Sequence, residues 1–247
     1  MMIFRLARVV VHVLIGMAIC ATVFPWIGRD RRDGHIRRWS RKLLAMCNVT
    51  VEERAGSAEV LRHAMVVANH VSWLDIFVIH SLYPSRFVAK AEIRSWPLAG
   101  WLAEKAGTVF ISRGSRRDLR HIFKGLVSSL QAGERVAFFP EGTTAAQGTL
   151  LPFHANLFEA AVDAGAQVQA MALSYEDESG ASHPAVDFVG DMSFVESILA
   201  ILNGPPVIAR LAILSPIAAA GAHRRDLADA THSAIATALN IEPCEVN

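Results

Sequence analysis

An imidazole and a carboxylate stand five positions apart in Met65-Val66-Val67-Ala68-Asn69-His70-Val71-Ser72-Trp73-Leu74-Asp75. The apolar run 65–68 reads as a strand, and Asn69 and His70 fall in the turn after it. Ser72 is placed to cap a helix beginning at Trp73. His70 then projects from the mouth of a strand-to-helix turn, and Asp75, in the first helical turn, can reach back to it. A carboxylate on one ring nitrogen fixes the tautomer and stabilises the imidazolium formed when the other nitrogen takes a proton. No G-x-S-x-G nucleophile elbow occurs in the chain. Such a dyad would therefore act as general base on a hydroxyl brought by a substrate. Ser72-x-x-Asp75 is also a capping-box pattern, in which Asp75 only returns a hydrogen bond to a backbone N–H. The segment alone does not choose between the two readings.

Other residues suited to chemistry lie at the ends of apolar runs. Phe139-Pro140-Glu141-Gly142-Thr143-Thr144 leaves the run Val136-Ala137-Phe138-Phe139 and turns at a glycine. Backbone N–H groups around Gly142 are suited to cradle a phosphate or carboxylate. Arg113, after the run 108–111, is a fixed cation with bidentate reach, suited to an anionic headgroup. Trp96, Pro97, Leu98, Trp101 and Leu102 make an apolar stripe that is either core, an acyl channel centred on Trp96 and Trp101, or a surface that dips into a bilayer. The histidines show no metal-ligand spacing and no HExxH, so no metal is expected. Cys20, Cys47 and Cys244 are widely spaced and read as packing residues in a reducing compartment.

These groups need a scaffold, and the pattern after Asn48 supplies an α/β one. Strands are expected at 65–68, 87–89, 108–111, 135–139, 168–173, 185–189 and 207–214, with helices at 72–82, 96–106, 116–131, 157–164, 194–202 and 225–239. The reading is a single α/β domain over 48–247 with a mixed, mostly parallel sheet flanked by helices. Residues 1–47 precede it as a membrane anchor and basic interfacial helix. Residues 9–28 run without a charged side chain, the length of a bilayer-spanning helix. His12, Gly16 and Pro25 also allow a tilted or half-inserted one, and Arg5 and Arg8 before the run allow a signal peptide. No A-x-A site follows, and the basic stretch 29–42 suits a retained segment beside anionic headgroups on the cytoplasmic side. Composition agrees with a lipid environment. Of the 247 residues 52% are hydrophobic and 19% charged, against about 25% charged in ordinary soluble domains. A net charge of +1 gives no field for nucleic acid.

Asn69-His70-Val71-Ser72-Trp73-Leu74-Asp75 resembles the N-H-x-x-x-x-D signature of the glycerolipid acyltransferases, the 1-acyl-glycerol-3-phosphate acyltransferase type. Gly107-Thr108-Val109-Phe110-Ile111-Ser112-Arg113-Gly114 is similar to the family's second block. Phe139-Pro140-Glu141-Gly142-Thr143, followed by Leu151-Pro152-Phe153, is similar to its third. The resemblance implies transfer of an acyl group from acyl-CoA or acyl carrier protein to a lysolipid hydroxyl, with His70 and Asp75 catalytic. It also implies acceptor binding by Arg113, Glu141, Gly142 and Thr143, no cofactor beyond the thioester co-substrate, and work at the cytoplasmic face of the inner membrane. The most direct acceptor is 1-acyl-glycerol-3-phosphate. Many members carry arginine after E-G-T where this chain has Thr144, which leaves room for another headgroup such as that of a lyso-ornithine lipid. A hydrolase and a lipid-binding module without turnover are the more distant rivals.

Overall fold

The computed structural model describes residues 2–96, 98–111 and 116–241, with the backbone alone at 99 and 116–121. Its centre is one sheet. β1 (Val49–Glu53), β2 (Ala64–Ala68), β3 (Arg86–Lys90), β4 (Val109–Ile111), β5 (Val136–Phe138), β6 (Gln167–Glu176) and β7 (Val207–Ile213) run in the order β1-β7-β6-β2-β5-β3-β4, and the short β8 (Ile217–Ala218) pairs with β6. β6, β2, β5, β3 and β4 are mutually parallel, while β7 and β8 oppose β6, so the sheet is mixed and mostly parallel. All five residues of β2 are buried. An uninterrupted apolar strand is what a parallel sheet covered on both faces requires.

Helices supply the two covers. On one face lie α2 (Arg29–Met46), α3 (Leu74–Leu82) and α7 (Phe194–Asn203), whose Leu43, Leu44, Val78, Ile79, Ile201 and Leu202 share a core with the sheet. On the other face are α5 (Arg116–Gln131), α6 (Glu159–Ala164) and α8 (Arg224–Leu239). The short α4 (Ala99–Lys105) lies between β3 and β4 in the chain.

Two expectations change. Residues 185–189 are not a strand: Pro184 opens a 3-10 turn (Pro184–Val186), and the Phe188 N–H goes to the Val71 carbonyl rather than to a neighbouring strand. β1 was not anticipated. Its Val-Thr-Val-Glu-Glu run ends in two exposed glutamates, and it pairs in parallel with β7 at the edge of the sheet.

The N-terminal apolar helix, α1 (Met2–Thr22), packs on the domain along one stripe of Val9, His12, Gly16 and Cys20. His12 Nε2 meets the Trp39 carbonyl at 2.9 Å, Trp39 Nε1 donates to the His12 carbonyl at 3.0 Å, and the two rings stack at 4.8 Å. A Cβ on Gly16 would sit 2.5 Å from Trp39 Nε1, so this close crossing needs glycine. The expected division at residue 47 falls between α2 and β1, and the core runs across it through Val9, Leu43, Leu44 and Cys47. Part of the basic stretch is engaged with the protein: Arg29 pairs with Glu134 at 2.6 Å, and Arg41 donates to the Ser81 carbonyl. Arg31, Arg38 and Lys42 remain exposed on one helical face.

α3 buries His80 edge-on against Phe87, with ring centroids 4.9 Å apart. Burial disfavours its charged form and lowers its pKa from 6.5 to about 4. Between those pH values the unfolded chain binds a proton that the folded chain refuses. Stability should therefore fall as pH drops below about 6.5 and level off below about 4. The loss between pH 7 and pH 5 should be about 2 kcal/mol at 1.36 kcal/mol per pKa unit. Denaturant unfolding of wild type and His80→Gln at both pH values checks this. An unchanged pH difference in the variant would exclude His80 as its source.

Candidate active site

Because β2, β5, β3 and β4 are parallel, their C-terminal ends share one edge of the sheet. That edge is where ligands gather in α/β folds. Asn69-His70 leave β2 there, and Phe139-Pro140-Glu141-Gly142 leave β5 there. The β4 exit leads to Arg113, which lies outside the described residues.

His70 Nδ1 and Asp75 Oδ2 are 2.7 Å apart. The same carboxylate oxygen accepts the Val71 N–H at 2.7 Å and the Ser72 N–H at 3.0 Å. Asp75 therefore returns bonds to the helix start and also holds the imidazole. Ser72 does not complete a capping box, since its buried hydroxyl has no partner among the described residues and the helix begins at Leu74. Asp75 is fully buried, whereas the His70 side chain is 18% exposed. Nε2 is thus left as the nitrogen that can take a proton from a ligand. Among the described residues the His70 ring bonds to Asp75 and to no serine, threonine or cysteine.

Residues outside the pair fix it in place. The Phe139 ring lies flat on the imidazole at 3.9 Å and 7°. The buried Glu141 accepts the His70 N–H through Oε1 at 2.8 Å and the Leu151 N–H through Oε2 at 2.9 Å, tying the β2 and β5 exits together. Burial raises the Glu141 pKa, and those two N–H groups and nearby His70 oppose the rise. Asn69 continues the β2–β6 ladder with its side chain: its amide exchanges two hydrogen bonds, of 2.8 and 3.0 Å, with the Leu173 backbone. Tyr175 on β6, wholly buried, donates its hydroxyl to Asp75 Oδ1 at 2.5 Å. Burial first, and then the Asp75 charge, push the Tyr175 pKa well above 10. Gln147 accepts the Tyr175 N–H at 2.7 Å. Tyr175 and Gln147 were not foreseen. The usable signal was a tyrosine inside an apolar strand, since a buried phenol needs a partner for its hydroxyl.

The remaining expected site residues divide. Gly142 turns at φ +69°, a conformation that favours glycine, and a Cβ there would meet His154 at 3.3 Å. Its N–H is already given to the Phe139 carbonyl, so one donor of the expected anion cradle is spent internally. Thr143 is exposed beside this turn. The Thr144 hydroxyl donates to the Phe188 carbonyl, and the Ala145 N–H to the His70 carbonyl at 2.8 Å. Trp96 is exposed near Phe194, with centroids 6.4 Å apart, while Trp101 is half-buried under Lys105. No group of three or more metal-binding side chains occurs among the described residues.

Known proteins resemble this chain in sequence and in fold. The Acyltransferase family model matches residues 48–174, the stretch that carries His70, Asp75, Glu141 and β6 as far as Ser174. A 1-acyl-sn-glycerol-3-phosphate acyltransferase of Neisseria meningitidis is 46% identical over 151 residues, 61% of this chain and 59% of that protein. The match thus covers less than two thirds of that relative's length. A lyso-ornithine lipid O-acyltransferase of Pseudomonas aeruginosa is 38% identical over 245 residues, 95% of this chain and 92% of its own. The crystal structure of a 1-acyl-sn-glycerophosphate acyltransferase from Thermotoga maritima superposes with a TM-score of 0.65 over 96% of both chains, at 20% identity, a likeness of fold. With half the chain matching the family model and a relative aligned nearly end to end, the protein belongs to the acyltransferase family.

Proposed function

We propose that the chain is a lysolipid O-acyltransferase in which His70 is the general base. The observation that carries this is the 2.7 Å contact between His70 Nδ1 and a buried Asp75, with no protein nucleophile bonded to the ring among the described residues. His70 Nε2 removes the proton of the acceptor hydroxyl as its oxygen attacks the thioester carbonyl. The C–S bond then breaks, and the departing thiolate of acyl-CoA or acyl carrier protein takes the proton back from the imidazolium. Asp75 stabilises that cation throughout. Because both Glu141 oxygens are taken by backbone N–H groups, Glu141 serves as a positioning residue of the dyad loop. Arg113, Gly142 and Thr143 stand on the acceptor side of this scheme.

The first acceptor is 1-acyl-glycerol-3-phosphate. A lyso-ornithine lipid is the second, favoured by Thr144 in the arginine position and by the nearly full-length relative with that name. Residues 1–47 act as the anchor, α1 seating its exposed Ile3, Phe4, Val10, Val11, Leu14 and Ile15 in the membrane and α2 turning Arg31, Arg38 and Lys42 to anionic headgroups. Cytoplasmic thioester donors place the enzyme on the cytoplasmic face of the inner membrane.

The test offers both lysolipids side by side, each with acyl-CoA and with acyl carrier protein. Diacyl product is expected, with little free fatty acid. Fatty acid released without diacyl product would make the protein a hydrolase and end the transferase reading.

A further inference from the structure

Among the described residues, every large hydrophobic side chain that stands exposed belongs to one of three segments. The first is α1 with the turn after it. The second is the pair Trp96 and Leu98, which precedes α4 in the chain. The third is the stretch leading into α7, with Val189, Met192, Phe194 and Val195. Scattered single apolar residues are ordinary on a protein surface, but a set confined to touching segments marks a contact site. These segments do touch. Phe194 lies 6.4 Å from Trp96 and 5.0 Å from Trp73. α7 runs beside α1, where Arg5 donates to the Leu202 carbonyl at 2.7 Å, and α4 also packs on α1.

The inner border of this surface is the active site. The Phe188 N–H binds the Val71 carbonyl at 3.1 Å, next to His70, and Trp73 adjoins the same turn. We propose that 189–195, with Trp96 and Leu98, is a second membrane-seating element that opens the dyad directly onto the bilayer. The proposal rests on the membrane reading of α1 and extends it: an acceptor could present its hydroxyl to His70 while its acyl chain stays in the lipid. The occupant is the acyl region of a bilayer, because this surface lies on elements packed against the apolar helix α1 and a shallow polar limit is built into it. Asp191 is exposed within the stretch, and Ser193 and Glu196 close a capping box at the α7 start. Charges tolerate headgroups and not hydrocarbon, so only the tips of Met192, Phe194 and Val195 sink, within the roughly 5–10 Å typical of interfacial helices.

A nitroxide on the full-length chain tests this. Cys20 and Cys47 are buried, and Cys244→Ser removes the remaining thiol. Labels go on Val195→Cys, on Met192→Cys and, as a reference on the opposite face of the sheet, on Asp229→Cys in α8. Vesicles contain phosphatidylcholine and phosphatidylglycerol in equal parts. On binding, positions 195 and 192 should lose several-fold in accessibility to a nickel chelate and gain access to oxygen, while position 229 stays unchanged. If the chain binds the vesicles and both test positions remain open to nickel, this inference falls and the α1 reading stands. If the chain stays in solution with lipid present, both fall.

Discussion

His70→Ala should lower turnover by at least about 10²-fold, the lower end for losing a positioned general base. The loss should be confined to chemistry, because the substitution keeps every backbone bond at this position. The backbone N–H at position 70 would still reach Glu141, and the carbonyl there would still accept the Ala145 N–H. Asp75 would keep the Val71, Ser72 and Tyr175 donors and lose only the imidazole. What disappears from packing is one ring, 18% exposed, lying on Phe139. Diacyl-lipid formation under single turnover, beside a thermal melt, separates the two effects. Most of the activity surviving in a folded variant would reduce the His70–Asp75 pair to a helix-start motif.

The parts of the site that were legible in sequence are those whose geometry is local. A strand, a two-residue turn and one turn of helix are enough to carry Asp75 back to His70, and no distant residue is needed to see it. Glu141 was visible only as a motif position. That its two oxygens clamp His70 and Leu151 depends on β2 and β5 being neighbours, which strand pairing decides and residue order does not. Tyr175 was hidden for the same reason: one hundred residues separate it from Asp75, and β6 meets β2 only in the folded sheet.

α1 carries a local signal of a second kind. Length and composition describe a spanning helix and a helix lying on a protein equally well. The departures from pure hydrocarbon, His12, Gly16 and Cys20, recur at helical spacing with Val9, and they form the stripe that packs on the domain. A polar ring and a glycine on one face point to a protein neighbour, here Trp39, because lipid gives neither of them a partner. The opposite face, with Ile3, Val10, Leu14 and Ile15, stands exposed. In the 185–189 stretch the β-branched residues suggested a strand, but Pro184 opens a turn there and the bond from Phe188 to Val71 holds it beside the His70 turn.

Asp75→Ala and Asp75→Asn should part company, and the contrast rests on four donors meeting one carboxylate. In Asp75→Ala the Val71 and Ser72 N–H groups, the His70 Nδ1–H and the Tyr175 hydroxyl all lose their acceptor at a fully buried position. Unpaired buried donors cost about 1–3 kcal/mol each before relaxation. A net destabilisation of about 3–5 kcal/mol is expected, as for a broken buried ion pair. Asn offers a way out. Its amide oxygen can take the Oδ2 place facing three donors, and its NH2 can face Tyr175, whose hydroxyl oxygen then accepts instead of donating. The imidazole keeps its tautomer and orientation, and only the negative charge is lost. Asp75→Asn should thus melt well above Asp75→Ala. Its turnover should still fall steeply, though by less than the roughly 10⁴ seen when a triad loses its tautomer. Melting points and single-turnover rates of both variants decide the matter. Equal destabilisation would show that the amide cannot adopt this orientation, and wild-type turnover in Asp75→Asn would show that the carboxylate's charge does not stabilise the His70 imidazolium.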